Sequence, residues 1–494
     1  MGNRGPISAL RIISALFLLI AIVLTTVQLA RFSRVRSYLP AGLKIANLAV
    51  GGYDRQTAAS MILEVYSLPI ELRYNGSPVH LLPSVIDYKV DIPNMLAAAD
   101  VERTRKSFWL DFWDYLWGRT EFPTEIPLTA SYSEIRLRSF LKELAERYDT
   151  PATAAMPVAG SVNFIAGQPG TTLDIDNSVM LVSAALASNT SRELELPLKK
   201  TDPNPPSFGN LEVLLKQIIE TSGFDGLAGI YLMNLENAQE IHFAIQKGQE
   251  LPVEPDISFT ASSIIKIPIM VSSFRRMTDE SDQETMKLMT DMVDKSGNEA
   301  ADWLMDRVID PKSAPLIVSE DMKELGLKNT FLAGYFSLGS PLLAEFKTPA
   351  NQRQDINTDP DPYNQTTPSD IGMLLTDIYQ CSQNGGGTLT TIFAGQITQS
   401  KCQMMNNLLV NNRLPMLLTA GIPEGTQIAH KHGWVSTNGI INTIGDAAII
   451  YTPGGNYVLV IFLHHQDQLI WDSASLLIAQ LSQAVFNYYN FSAP

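Results

Sequence analysis

From Ile12 to Ala30 the chain runs apolar without a charge, between Arg11 and Arg31. A helix of about 19 such residues is long enough to cross ~30 Å of hydrocarbon. A cleaved secretory signal has a shorter apolar region, ~7–15 residues, closed by small residues at the cleavage site. Gln28 stands where those small residues belong, so the pattern predicts an uncleaved anchor over residues 1–36. Arg4 and Arg11 precede the span and Arg31, Arg34 and Arg36 follow it, which leaves the positive-inside count undecided. The short leading side and the long remainder favour a single-pass membrane protein with its bulk outside the cytoplasm.

Beyond the anchor the periodicity changes repeatedly. Leu43 to Val50 reads as a strand and Gly51-Gly52 as a turn. Ala58, Met61, Ile62 and Val65 give helical spacing over Arg55 to Tyr66. Ile70 to Tyr74 and Val79 to Leu82 read as strands around Asn75-Gly76, a strong hairpin signal. The aromatic run Trp109, Phe112, Trp113, Tyr115 and Trp117 is expected to pack between subdomains, with contact to a membrane interface as the rival. A second unit of similar layout follows: a strand from Ile126, a helix Ser133 to Tyr148, short strands near Val162 to Ile165, a turn over Gly167 to Gly170, another helix, and a strand Glu193 to Leu198. Residues 37–200 thus form a small α+β domain, and the prolines of 201–210 a linker.

Residues 211–494 read as one further α+β domain. Leu211 to Thr221 is helical, and Ala228 to Asn234 pairs with Ile241 to Ile245. Ala447 to Thr452 and Tyr457 to Leu463 meet at Pro453-Gly454-Gly455, and Leu469 to Tyr489 closes the chain as a helix. The expected architecture is a sheet of about five antiparallel strands with helices on both sides and a helical lobe over Met270 to Val410.

Composition narrows the function. The formal charge is −15, with no cluster of Lys and Arg fit for a phosphate backbone, so nucleic acid is excluded as a partner. The two cysteines, Cys381 and Cys402, either form a bridge across the flexible Gly385-Gly386-Gly387 or stay as separate buried thiols. With few cysteines and six histidines, no metal site and no cofactor is expected; His430 and His432 read as strand residues on one face.

The chemistry gathers at Phe259-Thr260-Ala261-Ser262-Ser263-Ile264-Ile265-Lys266. Ser263 and Lys266 share one face of a helical turn, so the amine can take the hydroxyl proton if burial or a neighbouring cation lowers its pKa. The plainer alternative is a helix start capped by Ser263. Two later stretches favour chemistry: Ser296-Gly297-Asn298 opening a helix, and Lys431-His432-Gly433-Trp434 on a strand.

In this order the three stretches resemble the penicillin-interacting serine enzymes, most nearly class A β-lactamases, whose elements are Ser-x-x-Lys, Ser-Asp-Asn and Lys-Thr-Gly. The resemblance spans about Leu211 to Phe491 and includes Thr366-Thr367-Pro368 before a helix. It implies Ser263 as nucleophile, Lys266 as base and Ser296 as proton relay to the leaving nitrogen. Asn298 and Lys431 would hold the substrate amide and carboxylate, while Gly433 and Trp434 would bring a backbone donor to an oxyanion hole. Gly297 replaces the family's Asp, and His432 its Thr.

The deacylating glutamate of that family has no counterpart in Phe331 to Gln365, where Glu345 and Asp355 are the candidates. Separately, Val50-Gly51-Gly52, Pro69 to Tyr74, Gly167-Gln168-Pro169-Gly170 and Leu173 to Asp176 resemble a peptidoglycan-binding domain that precedes hydrolase or VanW-type modules. That likeness covers about Leu43 to Leu198 and implies a grip on wall polymer, with a spacer as the rival. The expected function is a membrane-anchored serine hydrolase that is acylated at Ser263 by a β-lactam and hydrolyses it. The alternatives are a D,D-peptidase-like enzyme on peptidoglycan stem peptides, and a wall-binding protein with impaired catalysis.

Overall fold

The computed structural model describes residues 7–119, 125–412, 414–437 and 439–491; Arg4, one of the charges flanking the apolar span, lies outside them. The chain divides into two compact units, residues 1–152 with 169–202, and residues 153–168 with 203–494.

The first unit begins with helix α1 (Ile7–Arg36), long and apolar enough to cross a membrane. The stretch Leu43 to Val50 is not one strand. It folds as a hairpin, Lys44–Ile45 against Leu48–Ala49, because Ala46 and Asn47 between them take left-handed backbone angles. Helix α2 (Arg55–Tyr66) is capped by Asp54, whose carboxylate accepts from the amides of Gln56 and Thr57. Strands β1 (Ile70–Tyr74) and β2 (Ser77–Leu81) pair across Asn75-Gly76, both at positive φ as such a turn requires. Helices α3 (Ile92–Thr104), α4 (Phe108–Leu116) and α5 (Glu134–Tyr148) follow. Then come β3 (Gly170–Leu173), α6 (Ile175–Ala187), β4 (Glu193–Glu195) and β5 (Leu198–Thr201), with β4 parallel to β1 and β5 antiparallel to β3. The expected strand Glu193 to Leu198 is therefore two strands in two sheets. Its cores are small: Leu72, Leu137, Leu141 and Val182 in one cluster, Leu43, Ile45, Ile62 and Tyr66 in another.

The second unit is built on a six-stranded antiparallel sheet in the order β8-β7-β6-β14-β13-β12. These are β6 (Leu227–Asn234), β7 (Glu240–Gln246), β8 (Gln249–Leu251), β12 (Gln427–Thr437), β13 (Ile440–Tyr451) and β14 (Tyr457–His464). One strand more than expected is present, the three-residue β8, whose Gln-Glu-Leu carries no alternation to announce it. The run Tyr457 to Leu463 is buried on both faces. Val458, Val460 and Phe462 enter one core, and Tyr457, Leu459, Ile461 and Leu463 the other. Each such side chain contributes ~1.5–3 kcal/mol on burial.

Helices α7 (Phe208–Thr221) and α15 (Trp471–Tyr489) cover the second of those cores. On the other face lie α8 (Lys266–Arg276), α9 (Gln283–Val293), α10 (Asn298–Leu304), α11 (Ala314–Glu324), α12 (Pro368–Asn384), α13 (Thr388–Ile392) and α14 (Gln399–Val410). Helix α12 packs close because Gly372 has no side chain; a Cβ there would stand 2.2 Å from the Tyr231 ring. Cys381 and Cys402 are joined as a disulfide between α12 and α14, with Cα atoms 5.8 Å apart.

Residues 153–168 depart from the expected domain limits. This hairpin follows α5 in sequence yet packs with the second unit: Phe164 meets Tyr488 and Phe491, and Asn487 Nδ2 donates to Val162 O at 3.0 Å. The Pro-rich segment is also shorter than 201–210, since β5 runs to Thr201 and α7 starts at Phe208, capped by Ser207.

Candidate active site

Three short strands set the position of Ser263. β9 (Phe259–Thr260) and β10 (Phe331–Leu332) both pair with β11 (Asn364–Thr366), which ties the approach to Ser263 to both ends of the 331–365 loop. Ser262 then takes a left-handed φ of 52°, which costs a non-glycine residue ~1–3 kcal/mol. A 3₁₀ turn over Ser262–Ile265 leads into α8, whose first residue is Lys266. No side-chain cap forms at this helix start, so Ser263 is not held there as a cap.

Lys266 is buried, and its Nζ lies 3.1 Å from Ser263 Oγ, 2.8 Å from Asn298 Oδ1 and 2.6 Å from the carbonyl of Ser296. Burial, and then the nearby Lys431 ammonium, lower its pKa from 10.5 to about 7. Ser296 also has a left-handed φ, 56°, and its Oγ stands between the two amines, 3.3 Å from Lys266 Nζ and 2.9 Å from Lys431 Nζ. Lys431 is buried on β12 and lowered to about 8, again chiefly by burial. Among the described residues no carboxylate forms an ion pair with either lysine, so neither amine is locked in its charged form.

Gly433 lets β12 approach the Ser263 turn: a Cβ there would stand 2.8 Å from Ser263 N and 3.0 Å from Ala261 O. This brings the edge strand's backbone beside the Ser263 amide. His432 and Trp434 lie on the opposite face of β12, their rings stacked at 5.1 Å, with Trp471 edge-on to Trp434 at 4.9 Å. Burial, then Lys431, depress His432 to about 3, so its ring is neutral near pH 7. His430 instead turns Nδ1 to Asp446 at 3.0 Å. No cluster fit to hold a metal occurs among the described residues.

The structure thus brings Ser263, Lys266, Ser296, Asn298 and Lys431 into one network of hydrogen-bond contacts, with Gly433 against the Ser263 amide; Trp434 sends its ring to the rear core. Gly297 leaves the loop anchored through its amide to Asp291 O at 3.0 Å and through Ser296 O to Lys266. The deacylation candidates do not gather. Glu345 is exposed, and Asp355 is turned to Arg353, which binds it at 2.6 and 3.0 Å and holds its pKa down. Above Lys266 the loop presents Phe336, its ring centre 5.2 Å from Nζ. Asp302, one turn beyond Asn298 on α10, fixes that loop by accepting from the amides of Phe336 and Ser337 at 2.9 and 2.8 Å. Neither residue was marked by sequence; the spacing of Asn298 and Asp302 was the available sign.

Residues 273–489 match the model described as "Beta-lactamase enzyme family". This part of the chain is a β-lactamase-family domain. The match begins beyond Ser263 and Lys266, so those two positions rest on the geometry above. Residues 80–195 match the "Putative peptidoglycan binding domain" family. Among solved structures, the β-lactamase-family domain is similar to PBP-A (20% identity, 58% of this chain, 98% of that one, TM-score 0.41). It is also similar to the ancestral GNCA class A β-lactamase (19%, 56% and 99%, 0.39) and to a β-lactamase from Xanthomonas campestris (18%, 56% and 97%, 0.40). No curated protein matches the chain.

Proposed function

We propose that this is a membrane-anchored extracytoplasmic serine hydrolase in which Ser263 is acylated by a β-lactam, or by the D,D-terminal amide of a peptidoglycan stem peptide, and releases the acyl group slowly. The reading rests above all on one observation: a buried lysine, its pKa lowered to about 7 so that about half is neutral near pH 7, within 3.1 Å of a part-buried serine hydroxyl. Lys266 takes the Ser263 proton as Oγ attacks the carbonyl carbon. The backbone N–H groups of Ser263 and Trp434 receive the developing oxyanion, a device worth ~2.7–4 kcal/mol per donor. As the C–N bond breaks, Ser296 passes a proton to the leaving nitrogen, replenished from the lysines on either side of it. Asn298 and Lys431 hold the substrate's amide and carboxylate. α1 is the anchor, and residues 80–195 are the contact to wall polymer.

Slow release follows from what surrounds Lys266. Hydrolysis of the ester needs a second base to activate water, and the position over the lysine is taken by the Phe336 ring, with Glu345 and Asp355 turned elsewhere. The test is labelling with a fluorescent penicillin followed by a chase with unlabelled drug. Rapid labelling, absent in Ser263→Ala, with label persisting through the chase is the expected result. Rapid release would restore the drug-destroying reading, and equal labelling of parent and Ser263→Ala would end the serine mechanism.

A further inference from the structure

Helix α4 does not pack its aromatic residues between subdomains, as its sequence suggests. Trp109, Leu110, Trp113 and Trp117 are 67, 64, 55 and 65% exposed, an unpartnered apolar face in a chain of net charge −15. Its other side is fixed to the end of α1: Phe32, in the turn after the apolar span, meets Phe108, Phe112 and Tyr115 at 5.3–5.4 Å. Since the uncharged run ends at Ala30, this contact sets α4 at the level where a span leaves the hydrocarbon. Tryptophan belongs at that depth, its ring in the acyl boundary and its N–H among headgroups.

Beside the same contact lies a cavity of about 220 Å³ lined by the cations Arg36, Arg103, Arg105, Lys106 and Arg119 and by the carboxylates Glu102, Asp111 and Asp114. Ion pairs join Arg36 to Asp111, Lys106 to Asp114, Arg105 to Glu102 and Arg103 to Asp100, at 3.4, 2.7, 3.8 and 3.2 Å, so the lining keeps an excess of positive charge rather than a set of free cations. Arg36 is placed by its stack on Phe108 at 5.0 Å, and Arg103 Nε is buried without a hydrogen-bond acceptor. Arg31 and Arg34 add to the positive collar. An apolar face and a cationic cavity at one depth, next to a spanning helix, are complementary to the surface of an acidic bilayer.

We propose that α4 and this cavity form a membrane-surface site that lies on the leaflet from which α1 emerges and takes the phosphate headgroup of an anionic phospholipid. The proposal rests on the anchor reading of α1. Its test uses the full chain in nanodiscs of phosphatidylcholine with or without phosphatidylglycerol, doped with phosphatidylcholine brominated near the glycerol end of the acyl chains. Tryptophan quenching by the brominated lipid is expected in the parent, and its loss when Trp109, Trp113 and Trp117 are changed to Phe. Quenching unchanged by that substitution would overturn the proposal while leaving the anchor intact. Failure of the chain to co-elute with discs would remove the anchor, and the proposal with it. In a second measurement, lipid retained on detergent extraction is identified by mass spectrometry. Phosphatidylglycerol is expected to be enriched over phosphatidylcholine, by about fivefold for each engaged arginine, and the enrichment to fall in Arg103→Gln with Arg119→Gln. A retained ratio equal to that of the disc, or one unmoved by the arginine changes, would also overturn it.

Discussion

Replacing Lys431 by Met tests the coupling of the two buried amines. Both lie within hydrogen-bond reach of Ser296 Oγ, at 3.3 and 2.9 Å, so they stand no further apart than those two lengths end to end, ~6 Å. Two unit charges at that separation repel by ~2.8 kcal/mol at an effective dielectric constant of ~20, equivalent to ~2 pKa units. Burial remains the larger cause of the Lys266 shift, so removing Lys431 returns only part of it. The base works neutral, and the parent's acylation rate should therefore rise as pH passes about 7 and fall again as Lys431 loses its proton near about 8. In Lys431→Met the rising limb should move up, by as much as ~2 units, and the falling limb should vanish. The assay is the rate of labelling by fluorescent penicillin across that range, fitted for its midpoints rather than its height, because the variant also loses attraction for the substrate carboxylate. A rising limb that stays near its parental midpoint would refute the claim that Lys431 tunes Lys266.

Three other outcomes follow from the same structure. Gly433→Ala places a methyl against Ser263 N and Ala261 O, and should slow labelling ~10²–10³-fold through loss of an oxyanion donor, with little effect on penicillin affinity measured by competition. Asp302→Ala removes charge-assisted hydrogen bonds from the amides of Phe336 and Ser337, worth ~1.5–3 kcal/mol each; it should lower the thermal midpoint and expose the loop to limited proteolysis. Replacing Cys381 and Cys402 by Ala opens a loop with a sequence separation of 21 and should cost ~3 kcal/mol of stability in denaturant titration, while Ser263 labelling persists.

What the sequence made legible was whatever local chemistry decides. Helix Arg55–Tyr66 has an Asp cap and a regular apolar stripe, and its ends fall where those signals place them. The central strands are long apolar runs. Lys266, Ser296 and Lys431 were found as residue types at the right spacing from one another along the chain. Their meeting depends instead on backbone angles at Ser262 and Ser296, which no pattern of polarity encodes. Nothing in the sequence singles out Phe336, because an aromatic residue in a loop looks the same whether it covers a lysine or faces solvent. On α15 Leu476 is 59% exposed while Ala474 and Ile478 are buried; the helix is apolar on so much of its circumference that periodicity alone does not fix its roll. The tryptophans of α4 were expected to seek a protein partner, because the count of aromatic residues carries no sign of which solvent they face.

The excursion at 153–168 changes what a cut in the proline-rich segment would achieve. A protease acting between Asp202 and Ser207 would sever the covalent link between the amino-terminal unit and residues 208–491. Yet Phe164 would still sit among Tyr488 and Phe491, with Asn487 still bonded to Val162 and Asn163. The severed unit would stay moored to its own amino-terminal fragment by a borrowed hairpin, and its shedding would be governed by how fast that hairpin peels away.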